Sequence, residues 1–431
     1  MARWFRRTRN DDLRLFFFVC CDMNMESEMK KRPRVLILMH YMELGGAESA
    51  LLGLLQSVDP MRVDVDVFIY SHRGELMQYV PTDKVHLLDE VKAYKLIESP
   101  IKDCIKAGRL DIVFGRLLAR WTVDKSPVPH GMEDVRIFTR IADCVERFLP
   151  MINPDVEYDL AISFLMPHNY VVHKVQAKKK IGWIHTDYSK VYVDVRREEK
   201  VWGQLDHIVS ISEDVGRTFG DTFPGLREKI VSIENILNTE FIRKRAGAFD
   251  VNLCDDESVV KLLTIGRYSY PKKMEDIPAI CRRVRERGMN IKWFIIGYGS
   301  GEIETEIKRN AEKEGVSDYV VLLGKQNNPY PYVSACDVYV QPSRYEGKSI
   351  TVREAQILCK PVVVTNYPTA ASQVKDGVDG VIVPLDIEEC AAGMSAFISD
   401  KKKRERMAEY LQAHDYGNEK EFQKILDLAQ S

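Results

Sequence analysis

The sequence predicts an α/β chain built as two doubly wound domains, on three observations. Short continuous apolar runs, each followed by a helical stretch, alternate from Pro33 onward, as buried parallel strands with crossover helices do. The alternation lapses in a charged, poorly periodic segment and restarts at Val259. At 431 residues, the chain is long enough for two cores of ordinary size. Its 45% hydrophobic and 29% charged residues are those of a soluble globular protein. A formal net charge of -2 supplies no electrostatic reason to expect a nucleic-acid partner. The 9 cysteines form no C-x-x-C pair and read as reduced core residues of a cytosolic protein.

Residues 1–32 form an Arg-rich extension whose apolar run, Leu15 to Cys21, is far short of the ~20 residues that span a bilayer. They read as a disordered or over-called start; a weak membrane-surface anchor is the functional alternative. The first domain is expected over 33–240. Its opening strand, Val35 to His40, feeds Gly45-Gly46 and a helical run to Gln56, a geometry that brings bare backbone near a phosphate or sugar. Asp64 and Asp66 invite a metal-binding D-x-D reading, but alternation puts both on one face of an early strand, not on a loop. Residues 92–150 read as helices with interleaved apolar and basic residues. They either pack on the first sheet or offer a face to a lipid-linked acceptor or membrane, with Arg116 and Arg120 as its cations. His185 follows the strand Lys180 to Ile184, at a carboxyl end where open parallel sheets bind ligands. His168 and His173 lack that placement. The hinge is expected in the charged segment through Asp256.

The second domain is expected over 257–400, with helices over 401–431 crossing back to the first. Gly266-Arg267 leaves a buried strand and leads to Lys272-Lys273. An Arg and a Lys at that spacing can reach a diphosphate together, each charge-assisted bond contributing roughly 1.5–3 kcal/mol. Gly297, Gly299 and Gly301 follow another strand with spacing that suits backbone approach to a nucleotide but not a dinucleotide fingerprint. The stretch from Tyr339 to Ala355 reads as strand, polar loop, and a helix opening near Ser349. Glu346 and Glu354 have seven residues between them, which places them roughly 6–8 Å apart along the axis. The amides of Gly347, Lys348 and Ser349 lie between them at a helix start, where unpaired N–H groups favour anions. Acid, anion cradle, acid suits a sugar nucleotide: one Glu for sugar hydroxyls, amides for the diphosphate, one Glu for the ribose.

With Pro342-Ser343 before it and Gly347 after the first acid, this E-x7-E stretch resembles the signature of retaining glycosyltransferase family 4, of GT-B fold. The resemblance implies two Rossmann-like domains facing across a cleft, with donor held mainly by the second and acceptor by the first. It implies glycosyl transfer from a UDP- or GDP-linked sugar, with retention, to a saccharide or lipid-linked acceptor in cell-surface polysaccharide synthesis. Glu346, His185, Arg267 and Lys272 would be catalytic. Gly45, Gly46, Arg267, Lys272, Glu346, Gly347, Lys348, Ser349 and Glu354 would hold the donor. In the family a Gly follows the Lys; here Lys273 replaces it, so the amine at the diphosphate is left open. No metal and no cofactor are expected, since side chains supply the cations. The expected location is the cytoplasm, with peripheral contact at the inner membrane face. Alternatives are another GT-B enzyme, such as an epimerase or phosphorylase, or a non-catalytic sugar-nucleotide sensor.

Overall fold

The computed structural model describes residues 32–430. The expectations for residues 1–31 lie outside them. Strands β1 (Arg34–Met39), β2 (Asp64–Ile69), β3 (His86–Leu87), β4 (Tyr158–Ser163), β5 (Ala177–Ile184), β6 (His207–Ser210) and β7 (Ile230–Ser232) form a parallel sheet ordered β3-β2-β1-β4-β5-β6-β7. Strands β8 (Val260–Tyr268), β9 (Ile291–Gly299), β10 (Val320–Gly324), β11 (Val338–Gln341), β12 (Val362–Thr365) and β13 (Val381–Val383) form a second, ordered β10-β9-β8-β11-β12-β13. Helices cover both faces of each sheet, so central strands are mostly apolar on both faces; five of the six residues of β1 are buried.

Both sheets reverse direction beside their first strand, between β1 and β4 and between β8 and β11. Loops leaving the carboxyl ends of two such neighbours diverge to opposite faces and open a crevice. In the second sheet β8 pairs with β11 through Leu262↔Val338 and Leu263↔Tyr339, so the loops after Tyr268 and Gln341 are forced together. Those two loops carry Lys272 and Glu346, and Arg267 lies at the end of β8, just before the first of them.

Six helices matter below: α1 (Gly46–Gln56), α2 (Leu110–Thr122), α3 (Arg136–Val145), α4 (Thr239–Ala246), α5 (Ile350–Ile357) and α6 (Phe422–Gln430). The structure corrects the hinge. Helix α4 already packs on the second lobe, where Ile242 joins Tyr330 and Ile357. The crossing therefore lies over residues 233–238; Arg243 and Lys244 belong to the outer side of a docked helix, whereas Arg245 is buried. The chain returns alongside this crossing: Asn418 accepts from the Leu237 amide at 2.9 Å and Glu419 from the Thr239 amide at 2.9 Å. Phe422, Ile425 and Leu426 of α6 then complete the core of the first lobe.

One further reading changes. Arg116 is not a surface cation. It is buried, with Nη1 donating to the carbonyl of Ser99 and lying 3.7 Å from Cys104 Sγ, because Gly115 and Ala119 let α2 press its inner side against α3. Asp66 is buried and holds Arg34 at 2.8 Å and the Tyr158 hydroxyl at 2.7 Å, a fully employed core acid.

Candidate active site in the cleft

The site is built on the loop between β11 and α5. Its base is a buried polar chain that an apolar sheet interior would not tolerate unless every member were satisfied. The Tyr339 hydroxyl donates to Gln341 Oε1 at 2.7 Å, and Gln341 Nε2 donates to Ser343 Oγ at 2.8 Å. Ser343 Oγ then donates to Glu346 Oε1 at 2.6 Å, with Gln341 Nε2 at 3.2 Å from the same oxygen. Gln341 and Ser343 are fully buried, so they hold the carboxylate of Glu346 in one orientation from below. From the other side, Lys272 Nζ reaches both oxygens, at 2.7 and 2.9 Å.

This geometry separates the two lysines. Residues 270–272 make a single tight turn after β8, and Lys273 sits in the left-handed region at φ 54°. Lys272 is thereby turned into the crevice. Lys273 is turned behind it, where Nζ donates to the carbonyl of Leu385 at 2.6 Å and pairs with Asp276 at 3.1 Å. Arg267 remains exposed at the end of β8, with no ion-pair partner for its guanidinium among the described residues. A side chain at Gly266 would meet Met274 Cε at 2.9 Å, and one at Gly299 would meet Arg267 Cγ at 3.0 Å. Both glycines leave room for the cations.

Other expected members stand apart. Glu354, one turn into α5, is buried and accepts from the Tyr330 hydroxyl at 2.7 Å. Burial pushes its carboxyl up to about 7, despite the Tyr330 hydrogen bond and the nearby Arg245 charge. In this conformation it lines a small enclosed cavity with Arg245, Asn238 and Ser49, rather than the crevice beside Glu346. The Ser349 amide is occupied by Gln373 Oε1 at 3.1 Å, which corrects the three-amide cradle. The amides of Gly347 and Lys348 have no acceptor among the described residues. The Lys348 ammonium pairs with Glu234 at the crossing, so only its main chain faces the crevice. The loop after β10 is stapled to α4: Arg245 donates to the Asn327 carbonyl at 2.7 Å, and Asn328 returns a bond to the Arg245 carbonyl at 2.7 Å.

The first lobe supplies the opposite wall. Gly45 precedes α1, and a side chain there would strike the Glu48 carboxylate, whereas Gly46 is uncrowded. Glu48 is buried, which raises its carboxyl; its own amide and the charge of Arg267 in the other lobe pull it back. The His185 ring packs on Phe164 with centroids 4.6 Å apart and lies parallel to Trp183. Burial drives its basicity down to about 3, so the ring is neutral near pH 7, and its Nε2 has no partner. A side chain at Gly347 would come within 3.9 Å of the His185 carbonyl, so these two predicted residues meet across the cleft. His168 is a core residue, bound to Ser163 Oγ at 2.8 Å and packed on Trp202.

One group of residues was not singled out from the sequence. His40 follows β1 and its Nδ1 pairs with Glu98, while its Nε2 is buried and unpartnered. Arg73 joins them, 3.5 Å from Glu98 and 3.4 Å from Glu43, with its guanidinium over the Tyr41 ring. Burial would raise Glu98, but the His40 hydrogen bond and the charges of His40 and Arg73 hold it below the ordinary range. The available signal was position: His40 follows β1 just as Tyr268 ends β8. Its partner lies 58 residues away, beyond any local pattern. Two contacts close the lobes over this wall. The Tyr298 hydroxyl donates to the Leu44 carbonyl, and Lys325 pairs with Glu75.

The arrangement presents fixed cations, a held carboxylate, and free main-chain N–H groups on one side, and a neutral imidazole on the other. It suits a ligand with an anionic end and a hydroxyl-rich end. Residues 253–414 match the family described as glycosyl transferases group 1. Among curated proteins, the chain is 27% identical over 158 residues to an alpha-D-kanosaminyltransferase of Streptomyces kanamyceticus, covering 36% of this chain and 40% of that one. It is 24% identical over 225 residues to the amylovoran biosynthesis glycosyltransferase AmsD of Erwinia amylovora, covering 47% of this chain and 62% of that one. The chain thus spans about half the length of these curated relatives. Among solved structures, Anabaena Alr3699/HepE in complex with UDP and glucose superposes with a TM-score of 0.63 at 15% identity, covering 93% of this chain and 100% of that one. The chain has the GT-B fold, and its residues 253–414 match the group 1 glycosyl transferases.

Proposed function

We propose that this protein is a retaining glycosyltransferase of family 4, active without a metal. It moves a sugar from a nucleotide donor, UDP-linked in the first instance, to a saccharide or lipid-linked acceptor in cell-surface polysaccharide synthesis. It works in the cytoplasm at the inner membrane face. The solved relative carries UDP and glucose, and AmsD is named for amylovoran biosynthesis, which supports the donor and acceptor classes. The observation that carries the reading is the convergence of Lys272 and Glu346 at the sheet reversal, beneath Arg267 and opposite His185.

The chemistry follows from charge. As the glycosidic C–O bond breaks, negative charge collects on the diphosphate and positive charge on the sugar. Preorganised donors aimed at the growing anion are the largest catalytic contribution in sites of this kind. Arg267, Lys272 and the amides of Gly347 and Lys348 act there. Glu346 orients sugar hydroxyls beside the cationic anomeric centre, and the neutral His185 positions the sugar. Lys272 is shared between Glu346 and the incoming phosphate, so donor binding and carboxylate orientation are coupled.

Glu346→Ala should lower transfer from UDP-sugar by about a thousandfold, since it removes a group engaged at the reacting centre. UDP binding should remain measurable by calorimetry. Full activity in this variant would overturn the assignment. Arg267→Ala should instead weaken UDP binding.

A further inference from the structure

The outer face of the first lobe carries a surface that the cleft chemistry does not use. Along α2, Leu110, Phe114, Leu117 and Trp121 recur at i, i+4, i+7 and i+11, within about 60° of one another on a helical wheel. Each is between 51% and 77% exposed. The opposite side of the same helix is the packed one, with Ile112, Gly115 and Ala119 buried. Helix α2 is therefore apolar twice over, once toward the core and once toward solvent. Phe138 of α3 is also exposed.

The charges around the stripe are asymmetric. Asp111 is paired with Arg109 at 2.7 Å, and Asp124 and Asp134 are each paired with Arg136 at 2.9 Å. Lys102, Lys106, Arg120 and Lys125 are exposed and have no ion-pair partner among the described residues. Asp103 and Glu133 are the acids left to balance them. Residues 101–147 hold nine Lys or Arg against seven Asp or Glu, whereas the whole chain is formally -2.

We propose that the α2 stripe is a docking surface for an anionic phospholipid bilayer, with Phe114 and Trp121 entering the headgroup boundary and Arg120 and Lys125 meeting lipid phosphates. Exposed aliphatic and aromatic residues bordered by unpaired cations are what such a surface selects. A second copy of the chain suits the face less well, because a two-fold pairing would bring the same unpaired cations together. The contact is with the surface alone, since no helix among the described residues is long and apolar enough to cross a membrane.

The test is cosedimentation of the full-length protein with vesicles of phosphatidylglycerol and phosphatidylcholine, against vesicles of phosphatidylcholine alone. It does not depend on transfer activity, so its failure and that of the transferase reading are distinguishable. The protein should bind the anionic vesicles and be released by salt. F114E/W121E should weaken binding at least about tenfold through lost apolar insertion. R120E/K125E should weaken it by about tenfold and remove the preference for phosphatidylglycerol. All four positions are exposed, so both variants should keep the wild-type thermal midpoint. Absence of binding, or binding undiminished in both variants, overturns the proposal. So does a wild-type dimer that F114E converts to monomer while neither protein binds vesicles.

Discussion

The two lobes share one strand order about their first strand, yet the rims they present to the cleft differ in how their charges are held. On the second-lobe rim, Glu346 is met from below by Ser343 and Gln341, within five residues of it, and from the side by Lys272 of the adjacent loop. On the first-lobe rim, the ionisable groups are half-finished: His40 is bound on one nitrogen only, and His185 is neutral with an orphaned Nε2. A satisfied rim is preorganised for a ligand that never changes. An unfinished one leaves hydrogen-bonding capacity for a ligand that completes it. Under the proposed function, the donor's nucleotide would meet the first rim, and the transferred sugar and acceptor the second.

The sharpest way to break this contrast is to unsettle the finished rim. Gln341→Leu is close in volume but deletes both a donor to Glu346 and the acceptor of Tyr339. Transfer should fall about a hundredfold, and stability should drop by about 1–3 kcal/mol for the polar groups left unpaired. Unaltered kinetics in a correctly folded variant would mean that the buried chain does not orient the carboxylate.

Next in size is Glu354, on the same rim but outside the finished array. Its folded-state carboxyl titrates at about 7, above the usual glutamate range, so the folded form binds more protons than the unfolded one between roughly pH 4.5 and 7. Stability is highest where Glu354 is protonated and declines as pH rises through that window. Glu354→Gln keeps the acceptor for Tyr330 and should raise stability at pH 8 by about 2 kcal/mol, with little change at pH 4.5. Chemical denaturation at the two pH values measures the difference; an equal shift at both would remove the titration from the account.

The smallest effect sharpens the unfinished rim. His40→Gln and Glu98→Gln should each lower transfer about tenfold, a loss of one charge-assisted bond, while UDP affinity stays within twofold. A matching loss of UDP affinity would erase the distinction between the rims. In the wild type, transfer should also respond to acceptor concentration differently from either variant.

Much of this architecture was readable in advance, for a physical reason. Buried parallel strands are dominated by apolar residues, so Val35 to Met39 and Val362 to Val364 announce themselves, and the loops that follow inherit their position from the strands. Arg267 and Glu346 were legible because each sits within a few residues of such a strand. Lys272 against Lys273 was not, since the choice turns on one left-handed residue in a tight turn. Gln373 on the Ser349 amide, and Glu98 on His40, join segments 24 and 58 residues apart. The burial of Arg116 is legible from spacing: it falls at i+4 from Ile112 and three before Ala119, on the buried stripe, whatever its charge.

The path of the tail has an effect on biosynthesis. Phe422, Ile425 and Leu426 fill the first lobe's core, although nearly two hundred residues separate them from its final strand. That lobe emerges from the ribosome before the second, yet it cannot be sealed until translation has passed residue 426. During that interval its unfinished interior is a target for chaperones, while the later-made lobe can already be complete.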